Sequence, residues 1–146
     1  MTSFAAQIAD WVNKVEGATE AVFKEASQEV VSRMQTPRSA GGNMRVDTGF
    51  LRASLMASTA AMPGINPNAK PVDGQKYGYE VGQVEAVIAG ADITSTLYFG
   101  YVASYAAARE FGARGQAPDA FVRTAAQQWQ GIVADKAAEL KGRLGL

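Results

Sequence analysis

Nine apolar residues recur at spacings of three and four along one segment: Phe4, Ile8, Trp11, Val15, Ala18, Val22, Ala26, Val30 and Met34. That spacing lines one face of an α-helix, so residues 3–35 read as a single helix with an apolar stripe. Val12, Phe23 and Val31 widen the stripe. At 1.5 Å per residue such a helix is about 50 Å long. That is long for a small domain. The stripe therefore either covers a sheet or runs on to meet a neighbouring subunit. Gly17 is a weak point, costing roughly 1 kcal/mol against Ala. Thr36-Pro37 ends the helix, because the residue before a proline is driven out of the α region.

The rest of the chain is built from shorter pieces. Residues 37–45 and 61–78 are rich in Gly and Pro, lack apolar periodicity, and are expected to be mobile loops ordered by partners. Between them, Asp47-Thr48-Gly49 reads as a tight turn: Asp or Thr can bond the backbone two residues on, and Gly accepts positive φ. Leu51 to Ala60 is expected to run extended. Val81, Val84, Val87 and Ile88 suit a short helix closed by Gly90, with a strand as the alternative. Ile93 to Tyr101, rich in Thr, Tyr, Phe and Ile, reads as a strand. Tyr105 to Phe111 suits a helical turn stopped by Gly112. Pro118 is placed at the first position of a last helix, with Asp119 in its first turn. That helix carries Phe121, Val122, Ala125, Trp129, Ile132, Val133, Ala137, Leu140 and Leu144 at helical period. The layout is α+β: a small, mostly antiparallel sheet packed by a long N-terminal helix and a C-terminal helix, one domain over residues 1–146.

Composition narrows the chemistry. The chain has no His and no Cys, which removes the commonest general base and metal ligand along with thiolate nucleophiles and disulfides. Lys+Arg and Asp+Glu are both 14, and this balance argues against general affinity for nucleic acid or an anionic membrane. No secretory leader and no membrane span are expected, since no apolar run approaches ~20 residues. Thr48 has no activating base, so Asp47 and Thr48 suit a turn rather than an acid–nucleophile pair. Asp47 with Asp92, or Asp73 with Glu80, lacks the dense oxygen-ligand spacing of a calcium loop. Arg33, Arg38, Arg45 and Arg52 form a basic stretch opposed only by Asp47. It reads as a solvated loop, or as a contact for DNA phosphates or an acidic partner. Arg52 and Arg123 can also lock with Glu110 or Asp47, and Glu110 is the first candidate partner for Arg52. Tyr98, Phe99, Tyr101 and Tyr105 suit core packing or a subunit contact, or else base stacking.

Set in order, the words along the chain resemble those of the tail-completion (neck) proteins of long-tailed phages, the group with the minor tail protein Z-type and head–tail joining proteins. The words are Thr36-Pro37, Val46-Asp47-Thr48-Gly49, Leu51-Arg52, Tyr105-Ala106, Glu110-Phe111-Gly112, Pro118 and Phe121-Val122-Arg123. Residues 38–45 intervene where the family usually runs straight from Thr-Pro to Val-Asp-Thr-Gly, and the 61–78 loop is long. The resemblance implies a structural virion protein without catalysis or cofactor. It implies a ring, typically sixfold, at the upper end of the tail tube, with the tail tube protein and the head connector or stopper as partners and DNA passing the lumen. Its place would be the virion neck, and the host cytoplasm during assembly. Asp47, Thr48, Gly49, Arg52, Tyr105, Glu110, Gly112 and Arg123 are then structural and interface residues. The alternatives are a nucleic-acid-contacting assembly module, marked by salt-dependent binding, and an enzyme.

Overall fold

The hydroxyl of Ser3 accepts the amide hydrogen of Ala6 at 3.1 Å and so starts the first helix, α1, Phe4–Gln35. A computed structural model describes residues 3–145 of the chain. At the far end Thr36 leaves the helical region, and its hydroxyl donates to the Ser32 carbonyl at 2.7 Å. Both ends lie where capping chemistry places them.

After α1 come α2 (Phe50–Ala53), β1 (Leu55–Ser58), α3 (Gly82–Gly90), β2 (Tyr98–Tyr101), α4 (Ala106–Phe111), α5 (Phe121–Gln127) and α6 (Trp129–Leu144). The fold is α+β. Among the described residues the sheet has two strands, β1 and β2, antiparallel with Leu55 opposite Tyr101 and Ser58 opposite Tyr98. α3 packs on β1, α1 packs against α3 and α5, and α6 packs along α1. The core gathers Val31, Met34, Met44, Leu51, Leu55, Val84, Ile88, Tyr101 and Phe121. Tyr101 and Phe121 meet edge to face with centroids 5.0 Å apart.

Both strands are shorter than their residue types suggest, for local reasons. The segment expected to be extended from Leu51 begins as one helical turn, α2, because Gly49 turns the chain left-handed just before it. Ser54 closes that turn with its hydroxyl on the Leu51 carbonyl at 2.7 Å. The strand expected from Ile93 starts only at Tyr98. Asp92 holds residues 92–95 in a turn, accepting from the Thr94 amide at 2.8 Å and from the Thr94 hydroxyl, which outweighs the β propensity of Ile93 and Thr94. The last helix is divided at Gln128, whose amide donates three residues back to the Ala125 carbonyl at 3.0 Å and tightens the turn.

The long stripe of α1 divides in two. Its buried residues are Ala26, Ser27, Val31, Met34 and Gln35, all in the C-terminal third. Val15, Ala18 and Val22 lie along α6, and Phe4, Ile8, Trp11 and Val12 remain exposed beyond it. Coverage by a sheet along the whole stripe is therefore corrected: helix and sheet share only the last turns.

Gly17 has no neighbouring atom within 4 Å of an added Cβ and sits in the exposed helical stretch. Gly17→Ala is expected to stabilise the chain by about 1 kcal/mol. Its melting temperature should rise by roughly 3 °C, read by circular dichroism.

Candidate functional site

Gly49 sits at φ +84, the left-handed region, where a Cβ costs about 1–2 kcal/mol. A Cβ there would also lie 2.2 Å from the Tyr77 carbonyl oxygen, so the backbone of the 61–78 loop leaves no room for a side chain. The Tyr77 amide donates to the Thr48 carbonyl at 2.8 Å, and Lys76 Nζ donates to the Asp47 carbonyl at 3.3 Å. Thr48 makes the turn, its hydroxyl accepting from the Phe50 amide at 3.2 Å, while Asp47 stays exposed. Phe50 then stacks edge-on against Tyr77 at 5.0 Å and tilts toward Tyr105 at 6.4 Å. A cleft of about 230 Å³ opens beside this turn, lined by Asp47, Thr48, Gly49, Arg52, Tyr105 and Arg109 among others. Five of the eight structural and interface candidates meet there: Asp47, Thr48, Gly49, Arg52 and Tyr105. Burial raises the pKa of the Tyr105 phenol, partly offset by a hydrogen bond with the Leu51 backbone and by the Arg109 charge.

Arg52 does not hold Glu110. Its Nε donates to the Gln35 carbonyl at 2.9 Å, and its guanidinium lies 5.7 Å from the centroid of the Tyr79 ring. Gln35 returns the contact through its side-chain amide, which donates to the Arg52 carbonyl at 2.9 Å. Its other end accepts the Tyr101 hydroxyl at 2.6 Å. Burial pushes the Tyr101 phenol well above its ordinary range, so it stays a donor.

Glu110, Gly112 and Arg123 form a second group at the junction of α4 and α5. The buried Glu110 carboxylate accepts the amides of Val122 and Arg123, both at 2.9 Å. It thereby caps a helix whose own cap position, Ala120, offers no side-chain oxygen. Arg123 contributes its backbone amide, and its side chain is exposed rather than locked to a carboxylate. Gly112 ends α4 at φ 83 and ψ 153, a region nearly reserved for glycine. An added Cβ would sit 2.8 Å from the Gln116 carbonyl oxygen.

Asp119 is the residue that sequence reasoning misplaced. The last helix starts at Phe121, so Pro118 and Asp119 stand ahead of it. The Asp119 side chain is fully buried and accepts from the Arg45 amide at 3.1 Å and from Arg45 Nε. Arg38 reaches it at 3.4 Å. Asn43 adds bonds to the Asp119 carbonyl and the Thr124 hydroxyl, both at 3.1 Å. The 37–45 loop is latched to the body by these bonds, and Arg38 and Arg45 are drawn inward by a carboxylate. Arg33 pairs with Glu29 at 3.0 Å and donates to Gln128 at 2.6 Å. Each of the four arginines of the basic stretch has a partner within the chain, and the side chains of Arg33 and Arg38 stay exposed, as a solvated stretch requires. The contacts between Asp119 and the 37–45 loop join residues 74 or more positions apart, a separation that one sequence does not signal.

The 61–78 loop contains no helix or strand, yet it is tied at defined points. Asn66 donates to the Val102 carbonyl and Ser104 to the Ala69 carbonyl, both at 2.9 Å. Among the described residues no group of three or more acidic side chains stands close enough together to hold a metal ion. No helix among them is long and apolar enough to cross a membrane. Comparison with known proteins adds no relative: no family model, no curated protein and no solved structure matches this chain.

Gly49→Val is expected to cost at least about 2 kcal/mol, from left-handed strain and the clash with Tyr77. Asp119→Ala removes the acceptor of three hydrogen bonds and should cost about 2 kcal/mol, limited because both arginines reach water. Chemical denaturation of each variant beside the parent measures both. An unchanged midpoint for Gly49→Val would show that the turn does not constrain the fold.

Proposed function

We propose that this chain is a structural virion protein that forms a ring at the top of a phage tail tube, completes the tail and joins it to the head connector. What carries the reading is the resemblance of the ordered words along the chain to those of the neck proteins, and the use the chain makes of its buried carboxylates is compatible with it. Glu110 caps a helix and Asp119 latches a loop, both through hydrogen bonds to fixed donors. Such carboxylates hold shape, their oxygens taken up by backbone amides and arginine side chains. The ordered words Thr36-Pro37, Val46-Asp47-Thr48-Gly49, Leu51-Arg52 and Glu110-Phe111-Gly112 support the same reading by resemblance. A nucleic-acid module is disfavoured because the arginines that would meet phosphates already hold internal partners.

Exposed loops then supply contacts to the neighbours above and below. Arg109 lines the cleft beside Asp47 and Tyr105, and its guanidinium makes no ion pair or hydrogen bond among the described residues. It offers a positive charge to an acidic group on a neighbour.

Electron microscopy of the purified protein mixed with tail tubes tests the role. Rings at one tube end, and rescue of tail-defective particles by the added protein, are expected. Hydrolytic turnover that depends on pH and is lost on changing Asp47 or Glu110 would replace this reading with an enzymatic one.

A further inference from the structure

Charge on this chain is sorted by segment. Residues 77–108 hold Glu80, Glu85 and Asp92 and no Lys or Arg. Residues 93–134 hold Arg109, Arg114 and Arg123, and their two acids, Glu110 and Asp119, are buried and hydrogen-bonded inside the chain. The side chains of those three arginines, and of Glu80 and Glu85, make no ion pair or hydrogen bond among the described residues.

The fold sets the two charges on separate flanks. α3, which carries Glu85, meets the face of α1 that bears Gln28, Val31, Ser32 and Gln35. α5 meets the face that bears Arg33 and Thr36, about a third of a turn round the helix. Each flank also has an apolar feature. On the basic side Phe111, the last residue of α4, is 68% exposed. It precedes an exposed hairpin at 113–116, with Arg114 at its tip. On the acidic side a cavity of about 450 Å³ opens between α1 and α3, with Val81, Val84, Ile88 and Glu85 in its lining. The cation in that lining, Arg52, is turned to the Gln35 carbonyl and the Tyr79 ring. Lys24 meets α3 at its C-terminal end, on the Ala89 carbonyl at 2.8 Å.

We propose that Phe111 and Arg114 of one copy dock on the α1–α3 cavity of a second copy of this chain, the ring entering it and the arginines of the basic flank meeting Glu80 and Glu85. The contact deepens the ring reading by naming the surfaces that join adjacent subunits, and it rests on that reading.

The chain carries both halves of the match, which selects a second copy as the partner. The cavity lies within the ~300–1,000 Å³ of sites that enclose a ligand, so it takes an aromatic ring. Equal counts of acid and base leave no net charge to push copies apart. Exposed ion pairs are weak one by one, so the charges steer and fix direction while the desolvated ring supplies the attraction. The flanks are different surfaces, so each copy uses one toward each neighbour. Such a head-to-tail contact repeats around an axis and closes into a ring.

Two variants reverse one flank each: Arg114→Glu/Arg123→Glu and Glu80→Lys/Glu85→Lys. None of these four side chains has a partner among the described residues, so both variants should melt with the parent. In analytical ultracentrifugation the parent is expected to self-associate at low salt, and several-fold less when the screening length falls to ~3 Å at 1 M. Each variant alone should stay monomeric. An equal mixture of the two should associate again, because an all-acidic copy then meets an all-basic one. Phe111→Ser should weaken the parent's association by about tenfold. A parent monomeric at low salt at every concentration, or association that neither reversal changes, would overturn the proposal. Binding of a monomeric parent to duplex DNA, lost in Arg114→Glu/Arg123→Glu, would overturn it in favour of a nucleic-acid surface. Rings on tail tubes formed by either variant alone would overturn the contact and leave the ring reading standing. Recovery in the mixture without rings on tail tubes would support the contact and remove the ring reading.

Discussion

The buried amide of Gln35 joins three elements that the small sheet does not hold together alone. It sits at the last residue of α1, donates to the backbone of Arg52 in α2, and accepts the hydroxyl of Tyr101 in β2. Arg52 answers with its own Nε on the Gln35 carbonyl. One side chain thus fixes the angle at which the long helix meets the sheet. Buried polar groups are costly unless partnered, and here each partner is itself fixed by packing. The apolar core forms around this joint: Val31 and Met34 from the helix, Leu51 from α2, Leu55 from β1.

The same device recurs wherever the fold lacks backbone partners. Two strands leave most of a sheet's edges open. The Gln83 amide fills the outer edge of β1, donating to the Ala57 carbonyl at 2.8 Å and accepting its amide at 3.0 Å, as a third strand would. Glu110 does likewise for the first amides of α5, and Asp119 for the Arg45 amide. Side chains supply the hydrogen bonds, and the loops supply the surface. A chain built this way has a fixed frame and long exposed segments, a division suited to a subunit that makes its contacts through loops and helix ends.

Local chemistry was legible in the sequence, and distant pairing was not. Apolar periodicity placed α1 and favoured α3, and Pro37 and Gly112 placed two helix stops, because those signals lie within a few residues of their effects. Gly49 was legible for the same reason: a turn needs a residue that tolerates positive φ. The strand ends were not, since Ile93 and Thr94 carry β propensity but answer to the side chain of Asp92. The partner of Arg52 was misread because charge suggests carboxylates, whereas the structure offers a carbonyl and an aromatic face. Asp119 was misread because its role is set by Arg38, Arg45 and Asn43, far away in sequence.

The account makes the Gln35 joint, rather than the two-stranded sheet, the element that orients α1. A double-mutant cycle between Gln35→Leu and Tyr101→Phe, read by chemical denaturation, tests this most directly. Coupled residues in one buried network interact by roughly 0.5–3 kcal/mol, and the account predicts a value within that range with the single changes costing more than their share of the pair. Strict additivity, with each single variant near the parent's stability, would contradict it.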